Sequence, residues 1–230
     1  PSLEEHGNTP IHNMPSLEEI AAARIQTGAV LVVRAAAHAM SGLETPTQGM
    51  GKLNNRDYKL FCDLIAEFIS FRNDMASLER ELKNGAFEGN ILLAMLAKSV
   101  EGEDITTCNS AMLTLLEQNQ LPSVQQDVKA RDKACYAIKL LMGSSKPFHA
   151  KHAVYVAKYR DINTLYNKLT SSTPKLIPHM NTLLGLAILH EKWAKLTTTL
   201  IGPDGQDVLA GHHALESVRY QPPSAAAASA

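Results

Sequence analysis

Residues 55–83 read NRDYKLFCDLIAEFISFRNDMASLERELK, a run with a regular apolar repeat. Its large apolar side chains recur every three or four residues, which is the spacing of one face of an α-helix. They are Leu60, Leu64, Phe68, Phe71, Met75, Leu78 and Leu82. The repeat predicts a long amphipathic helix that packs on a core, with a candidate interruption at Asn73 and an end at Gly85.

Helical spacing of apolar residues continues on both sides of this segment. Further helices are predicted over residues 15–40, 88–100, 104–118, 123–142, 147–170, 178–200 and 204–219. The sequence has no useful run that alternates apolar and polar residues, and aromatic residues make up only 5% of it, which favours helix over sheet. We therefore predict an all-α protein, built as two closely packed helical lobes with extended N- and C-terminal arms.

Changes in composition divide the chain into four segments. Residues 1–14 are polar, and residues 220–230 are rich in Pro, Ser and Ala, so neither can bury a core and both are predicted to be arms. Pro122 separates two predicted helices. The boundary between an acidic helical lobe, residues 15–121, and a basic helical lobe, residues 122–219, is expected there.

Charge is distributed unevenly along the chain. Residues 128–180 hold ten basic and two acidic side chains, whereas residues 1–127 hold nine basic and 17 acidic ones. The formal net charge of −1 therefore hides two opposed blocks. Aromatic residues are interleaved with the basic ones, and clustered positive charge of this kind is typical of a groove that binds a polyanion.

Eight residues of the basic block are predicted to bind nucleic acid through phosphates and bases. They are Lys129, Lys133, Lys139, Lys146, Lys151, Tyr155, Lys158 and Arg160. On a helix over residues 147–170, Tyr155, Tyr159 and Tyr166 would share one face, where their rings would stack on bases. The other interpretation, which is favoured for most of these tyrosines, is that they belong to the core and that the lysines extend their charged ends to solvent at its border.

Residues typical of catalytic or metal sites do not form a complete set. His149 and His152 have a spacing that suits one metal ion, but no nearby carboxylate or cysteine completes the site. Cys62, Cys108 and Cys135 are far apart in apolar surroundings, which is typical of reduced cysteines in a core. The sequence thus predicts no catalytic residue, no metal and no cofactor.

The layout of helical lobes, a basic block and two polar arms is similar to that of viral nucleocapsid or capsid proteins. It predicts a non-enzymatic assembly protein that binds single-stranded nucleic acid, RNA above all, and self-associates into a ring, filament or shell. The reduced cysteines predict an intracellular location, and the viral reading adds the virion. One alternative is a helical adaptor or matrix-type protein whose basic face binds acidic protein or lipid headgroups, and a second is an enzyme whose site has no recognisable motif.

Overall fold

A computed structural model of the protein describes residues 11, 14–27, 55–100, 106–120, 127–197, 200, 204 and 206–207. These residues form helices joined by short turns, and no β-strand occurs among them. The predicted all-α class is confirmed. The predicted lobe boundary at residues 121 and 122 and the predicted C-terminal arm lie outside the described residues, as does the N-terminal arm apart from Ile11 and Met14.

The helices closely follow the predicted positions. They are α1 (Leu17–Thr27), α2 (Asn55–Asn84), α3 (Ile91–Ser99), α4 (Thr106–Gln120), α5 (Val128–Ser144), α6 (Lys146–Ala157), α7 (Asp161–Ser172) and α8 (Ile177–Thr197), with 3₁₀ turns at Lys158–Arg160 and Pro174–Leu176. The predicted continuation of the first helix to residue 40 and the helix over 204–219 fall largely on residues that are not described. Within the described ranges, no helix is both long enough and apolar enough to cross a membrane.

Helix α2 runs through Asn73 without the predicted interruption. From Phe68 onward its apolar stripe is buried as predicted, whereas Leu60 is 46% exposed, because Tyr58, Phe61 and Ile65 form the buried face of the first turns. The helix ends at Gly85, whose φ of +67° lies in the left-handed region that favours glycine.

The predicted single helix over residues 147–170 is divided. Lys158–Arg160 adopt a 3₁₀ turn between α6 and α7. A 3₁₀ turn has about three residues per turn instead of 3.6, so a face drawn at α-helical spacing does not continue through it. Tyr159 and Tyr166 are fully buried, while Tyr155 is half-buried.

Two compact units divide the described residues. The first takes its residues from within 1–21, 74–154 and 194–212, and its core is built from large side chains of α2, α3, α4, α5 and α6. In this unit α4 packs against α5. The second takes its residues from within 22–73, 155–193 and 213–230, and its core joins the first turns of α2 to α7 and α8.

Candidate functional site

Polar side chains follow one face of α2 near its C-terminal end. Asn73, Ser77 and Glu81 are spaced four residues apart, and because α2 is continuous through these positions they lie in a row one turn apart. Ser77 is buried, whereas Asn73 and Glu81 are half-buried. The Ser77 hydroxyl donates a hydrogen bond to Glu81 Oε1 over 2.5 Å, so two oxygen-bearing side chains meet directly.

Asn90 holds the other oxygen of the same carboxylate. Its Nδ2 donates to Glu81 Oε2 over 2.8 Å and to the main-chain oxygen of Asp74 over 3.0 Å. Its Oδ1 accepts hydrogen bonds from the main-chain N–H groups of Leu92 and Leu93 and thereby caps α3. The fully buried Asn90 therefore joins the start of α3 to the polar row of α2.

Asp74 has a different role from its polar neighbours on α2. Its side chain is excluded from solvent, and its Oδ2 accepts a hydrogen bond from the main-chain N–H of Ile91 over 2.9 Å. Together Asp74 and Asn90 satisfy the first three N–H groups of α3, which have no partner inside the helix. Asp74 thus fixes the position of α3 on α2, while Ser77 and Glu81 remain in the polar row.

The turn between α2 and α3 makes these contacts geometrically feasible. Gly85 N donates to Leu82 O and Ala86 N donates to Glu81 O, which closes the end of α2. A Cβ atom on Gly85 would lie 2.9 Å from Asn119 Nδ2, so both the positive φ and the available space require glycine there. The reversal returns the chain to α2 within six residues.

Oxygen donors of this kind suit a hard divalent cation such as Mg²⁺. Among the residues that the structure describes, no group of three or more His, Cys, Asp or Glu side chains could hold a metal ion by itself. The polar row offers one carboxylate together with a hydroxyl and an amide. Mg²⁺ commonly takes one or two protein carboxylates and completes its shell with waters and substrate phosphates, so this donor set fits Mg²⁺ rather than a fully protein-enclosed metal.

The structure places the eight predicted nucleic-acid-binding residues in two units. Lys129, Lys133, Lys139, Lys146 and Lys151 belong to the first unit, and Tyr155, Lys158 and Arg160 belong to the second. Tyr155 and Lys158 are brought together, with the Lys158 ammonium 3.7 Å from the centre of the Tyr155 ring. Lys129, Lys133, Lys146, Lys151 and Arg160 are exposed.

Several cations of the basic block have acidic partners from the acidic part of the sequence. Lys139 binds Glu79 over 3.1 Å, and the hydrogen bonds to Glu79 from Lys83 and then from Lys139 lower the pKa of its carboxyl. Lys158 and the Tyr155 hydroxyl both bind the buried Glu67. Folding therefore pairs some lysines of the basic block with carboxylates that are distant in sequence. A count of charges along the chain does not include this pairing.

The comparisons with known proteins give one family match. Residues 2–114 match the family model described as terpene synthase family 2, C-terminal metal binding. No curated protein and no solved structure matches the chain significantly. The matched segment contains α1, α2, α3 and the first part of α4, and it includes the polar row, Asp74 and Asn90.

The match contradicts the function predicted from the charge pattern. A terpene synthase family is a family of enzymes, so the prediction of a non-enzymatic nucleocapsid or coat protein was wrong, as were the prediction of no enzymatic activity and the viral assignment. The charge pattern misleads in part because carboxylates that are distant in sequence fold onto Lys139 and Lys158. No finding bears on nucleic-acid binding by the eight residues, on self-association or on an intracellular location, and these stay predictions.

Sequence reasoning missed the polar row, although a signal for it was present. The sequence pattern marks Asn73 as a candidate helix interruption, whereas the informative signal is its four-residue spacing to Ser77 and from there to Glu81. A polar residue that recurs every four positions on a helix with an apolar stripe gives that helix a second, polar line of side chains. Asn90 gave a weaker signal, because an Asn before an apolar run is also an ordinary N-cap.

Proposed function

We propose that this chain contributes the metal-binding part of a terpene synthase-type enzyme, with Asn73, Ser77 and Glu81 as the protein ligands of a divalent cation, Mg²⁺. The observation that carries this proposal is the Glu81 carboxylate, which is held at both oxygens and lies inside the matched segment. A carboxylate whose position is fixed by hydrogen bonds, beside neutral oxygen donors, is suited to bind a hard cation.

The bound cation would supply positive charge to phosphate oxygens of a substrate, since one protein carboxylate leaves most of the coordination shell to waters and phosphates. A terpene synthase-type enzyme that binds substrate phosphate through a metal ion would act on an isoprenoid phosphate ester. This is the substrate class that we propose. Within the chain, Ser77 and Glu81 present their oxygens on one side of α2. Asp74 is not assigned as a ligand, because it lies outside the four-residue row and its side chain, which accepts from the Ile91 N–H, is excluded from solvent.

The hydrogen bonds of Glu81 are compatible with this role. A carboxylate has about four lone-pair positions, and the bonds from Ser77 and Asn90 use one on each oxygen. A serine hydroxyl likewise keeps acceptor capacity while it donates its proton. The half-buried Glu81 can therefore bind a cation without breaking the two contacts that orient it.

Binding of Mn²⁺, which takes the same class of oxygen ligands, provides the first test. Titration followed by the electron paramagnetic resonance signal of free Mn²⁺ should show saturable binding to the wild-type chain. Glu81→Gln should weaken that binding strongly, while Glu79→Gln should not. Glu79 is the matched control because it lies two residues away on α2, carries the same charge and is exposed.

Activity gives the second test. With Mg²⁺ and an isoprenoid diphosphate, the wild-type chain should release inorganic diphosphate and a hydrocarbon detectable by gas chromatography, and Glu81→Gln should release neither. Equal Mn²⁺ affinity of the wild-type chain and Glu81→Gln would overturn the assignment of the site to the polar row.

A further inference from the structure

Asn90 uses every hydrogen-bonding position of its side-chain amide. Its two N–H groups donate to Glu81 Oε2 and to the main-chain oxygen of Asp74, and its oxygen accepts from the N–H groups of Leu92 and Leu93. An asparagine amide can donate two hydrogen bonds and accept two, so the group is fully satisfied. It is also completely buried, which leaves it no alternative partner in water.

The oxygen and the nitrogen of the Asn90 amide have separate roles. The oxygen caps α3, a task that Ser, Thr and Asp perform about as well as Asn. The nitrogen contacts Glu81, and an N-cap has no need of that contact. Ser and Thr lack a second donor, and Asp lacks any donor when ionised. The requirement for an amide at this position therefore comes from Glu81 and the main-chain oxygen of Asp74, and not from the cap.

We propose that Asn90 is a positioning residue, which orients the Glu81 carboxylate for the divalent cation. This inference rests on the proposed function, because it concerns the same site. Ser77 fixes Glu81 Oε1 from within α2, and Asn90 fixes Oε2 from the start of α3, so the carboxylate plane is set by contacts on both sides. Groups that orient a metal ligand commonly change metal affinity by about 10–100-fold when they are removed.

Asn90→Ser separates the two tasks, because serine keeps a capping oxygen and loses the amide donor. The variant should keep its helical circular dichroism and most of its thermal stability, while its Mn²⁺ affinity falls by about 10–100-fold. Asn90→Thr supplies the same cap with an added methyl group, and it replaces the serine variant if that protein unfolds.

Asp74→Ala is the control for a purely structural effect. It removes the hydrogen bond from the Ile91 N–H to the Asp74 side chain, while alanine keeps the main-chain oxygen that accepts from Asn90, and Glu81 is unchanged. We expect this variant to lose thermal stability and to keep its Mn²⁺ affinity. If it lost affinity as Asn90→Ser does, Asn90 would act only through the general order of α3, and the proposal would be wrong.

A double-variant comparison tests whether Asn90 acts through Glu81. Adding Asn90→Ser to Glu81→Gln should cause no further loss of Mn²⁺ affinity, whereas an independent effect would add to it. Wild-type affinity in Asn90→Ser, with reduced affinity in Glu81→Gln, would overturn this inference and leave the proposed function standing. A wild-type chain that binds no Mn²⁺ would overturn both.

Discussion

Arg72 and Glu191 form an ion pair with a 2.9 Å contact between Nη2 and Oε1, and both side chains are almost completely buried. The Arg72 guanidinium also lies over the rings of Phe68 and Phe71, at 5.0 and 5.4 Å from their centres. The pair links α2 to α8 within the second unit. Both charged groups are removed from water, so their mutual attraction offsets part of the free-energy cost of desolvating them.

Removing one member of this pair should destabilise the protein more than removing both. Arg72→Met and Glu191→Leu should each lower the free energy of unfolding by about 3–5 kcal/mol, because each removes the ion-pair partner of a buried charge. The double variant should recover a large part of that loss. Urea denaturation of the three variants measures this, and additive losses in the double variant would contradict the pairing.

Asp74 should matter through its acceptor oxygen. Asp74→Ala leaves the Ile91 N–H without this partner in a buried position, which should lower the free energy of unfolding by about 1–3 kcal/mol. Asp74→Asn keeps an acceptor oxygen of nearly the same shape and should lose less. Thermal unfolding followed by circular dichroism compares the two variants, and equal losses would mean that the carboxylate charge matters more than the hydrogen bond.

Cys108 should make stability depend on pH in alkaline solution. Burial raises the pKa of its thiol from 9.0 to about 11. A raised pKa in the folded state stabilises the protein below the unfolded pKa, and this contribution is lost as pH rises from about 9 to about 11. Cys108→Ala should therefore show a shallower decline in stability over that range, measured by urea denaturation. Parallel declines in both proteins would refute the assignment.

Tyr159 should behave as a core residue. Its ring is fully buried, and it meets the ring of Phe68 edge-on with 4.9 Å between the ring centres. Tyr159→Ala should lower the free energy of unfolding by about 3–5 kcal/mol, the range for large aromatic residues in cores. Tyr136, at 67% exposure, is the matched control, and its change to Ala should alter stability by less than about 0.5 kcal/mol. Similar effects at both positions would argue against this packing.

The sequence was sufficient for the fold class and for most helices, because apolar spacing alone reports which face of a helix is buried. The burial of Phe68, Phe71 and Leu82 followed directly from it. The 3₁₀ turn at Lys158–Arg160 could not be predicted in this way, since neither Gly nor Pro marks it. The spacing of apolar residues in the sequence does not reveal a change from α-helix to 3₁₀ turn that tertiary packing stabilises.

The candidate site was harder to predict because its contacts depend on folding across a turn. The spacing of Asn73, Ser77 and Glu81 is visible in the sequence, but the meeting of Asn90 with Glu81 is not. The charge pattern misled for a related reason. Lys139 and Glu79 are 60 residues apart, and Lys158 and Glu67 are 91 apart, so their pairing escapes any local count of charges.

Because the chain reverses direction at Gly85, the length of the segment between α2 and α3 is itself constrained. Six residues, from Gly85 to Asn90, separate the end of α2 from the start of α3. An added or deleted residue in this turn would displace the start of α3 relative to α2 and carry Asn90 away from Glu81. Related sequences that share this site should therefore keep the length of this segment together with Gly85 and Asn90, and their insertions and deletions should lie outside it.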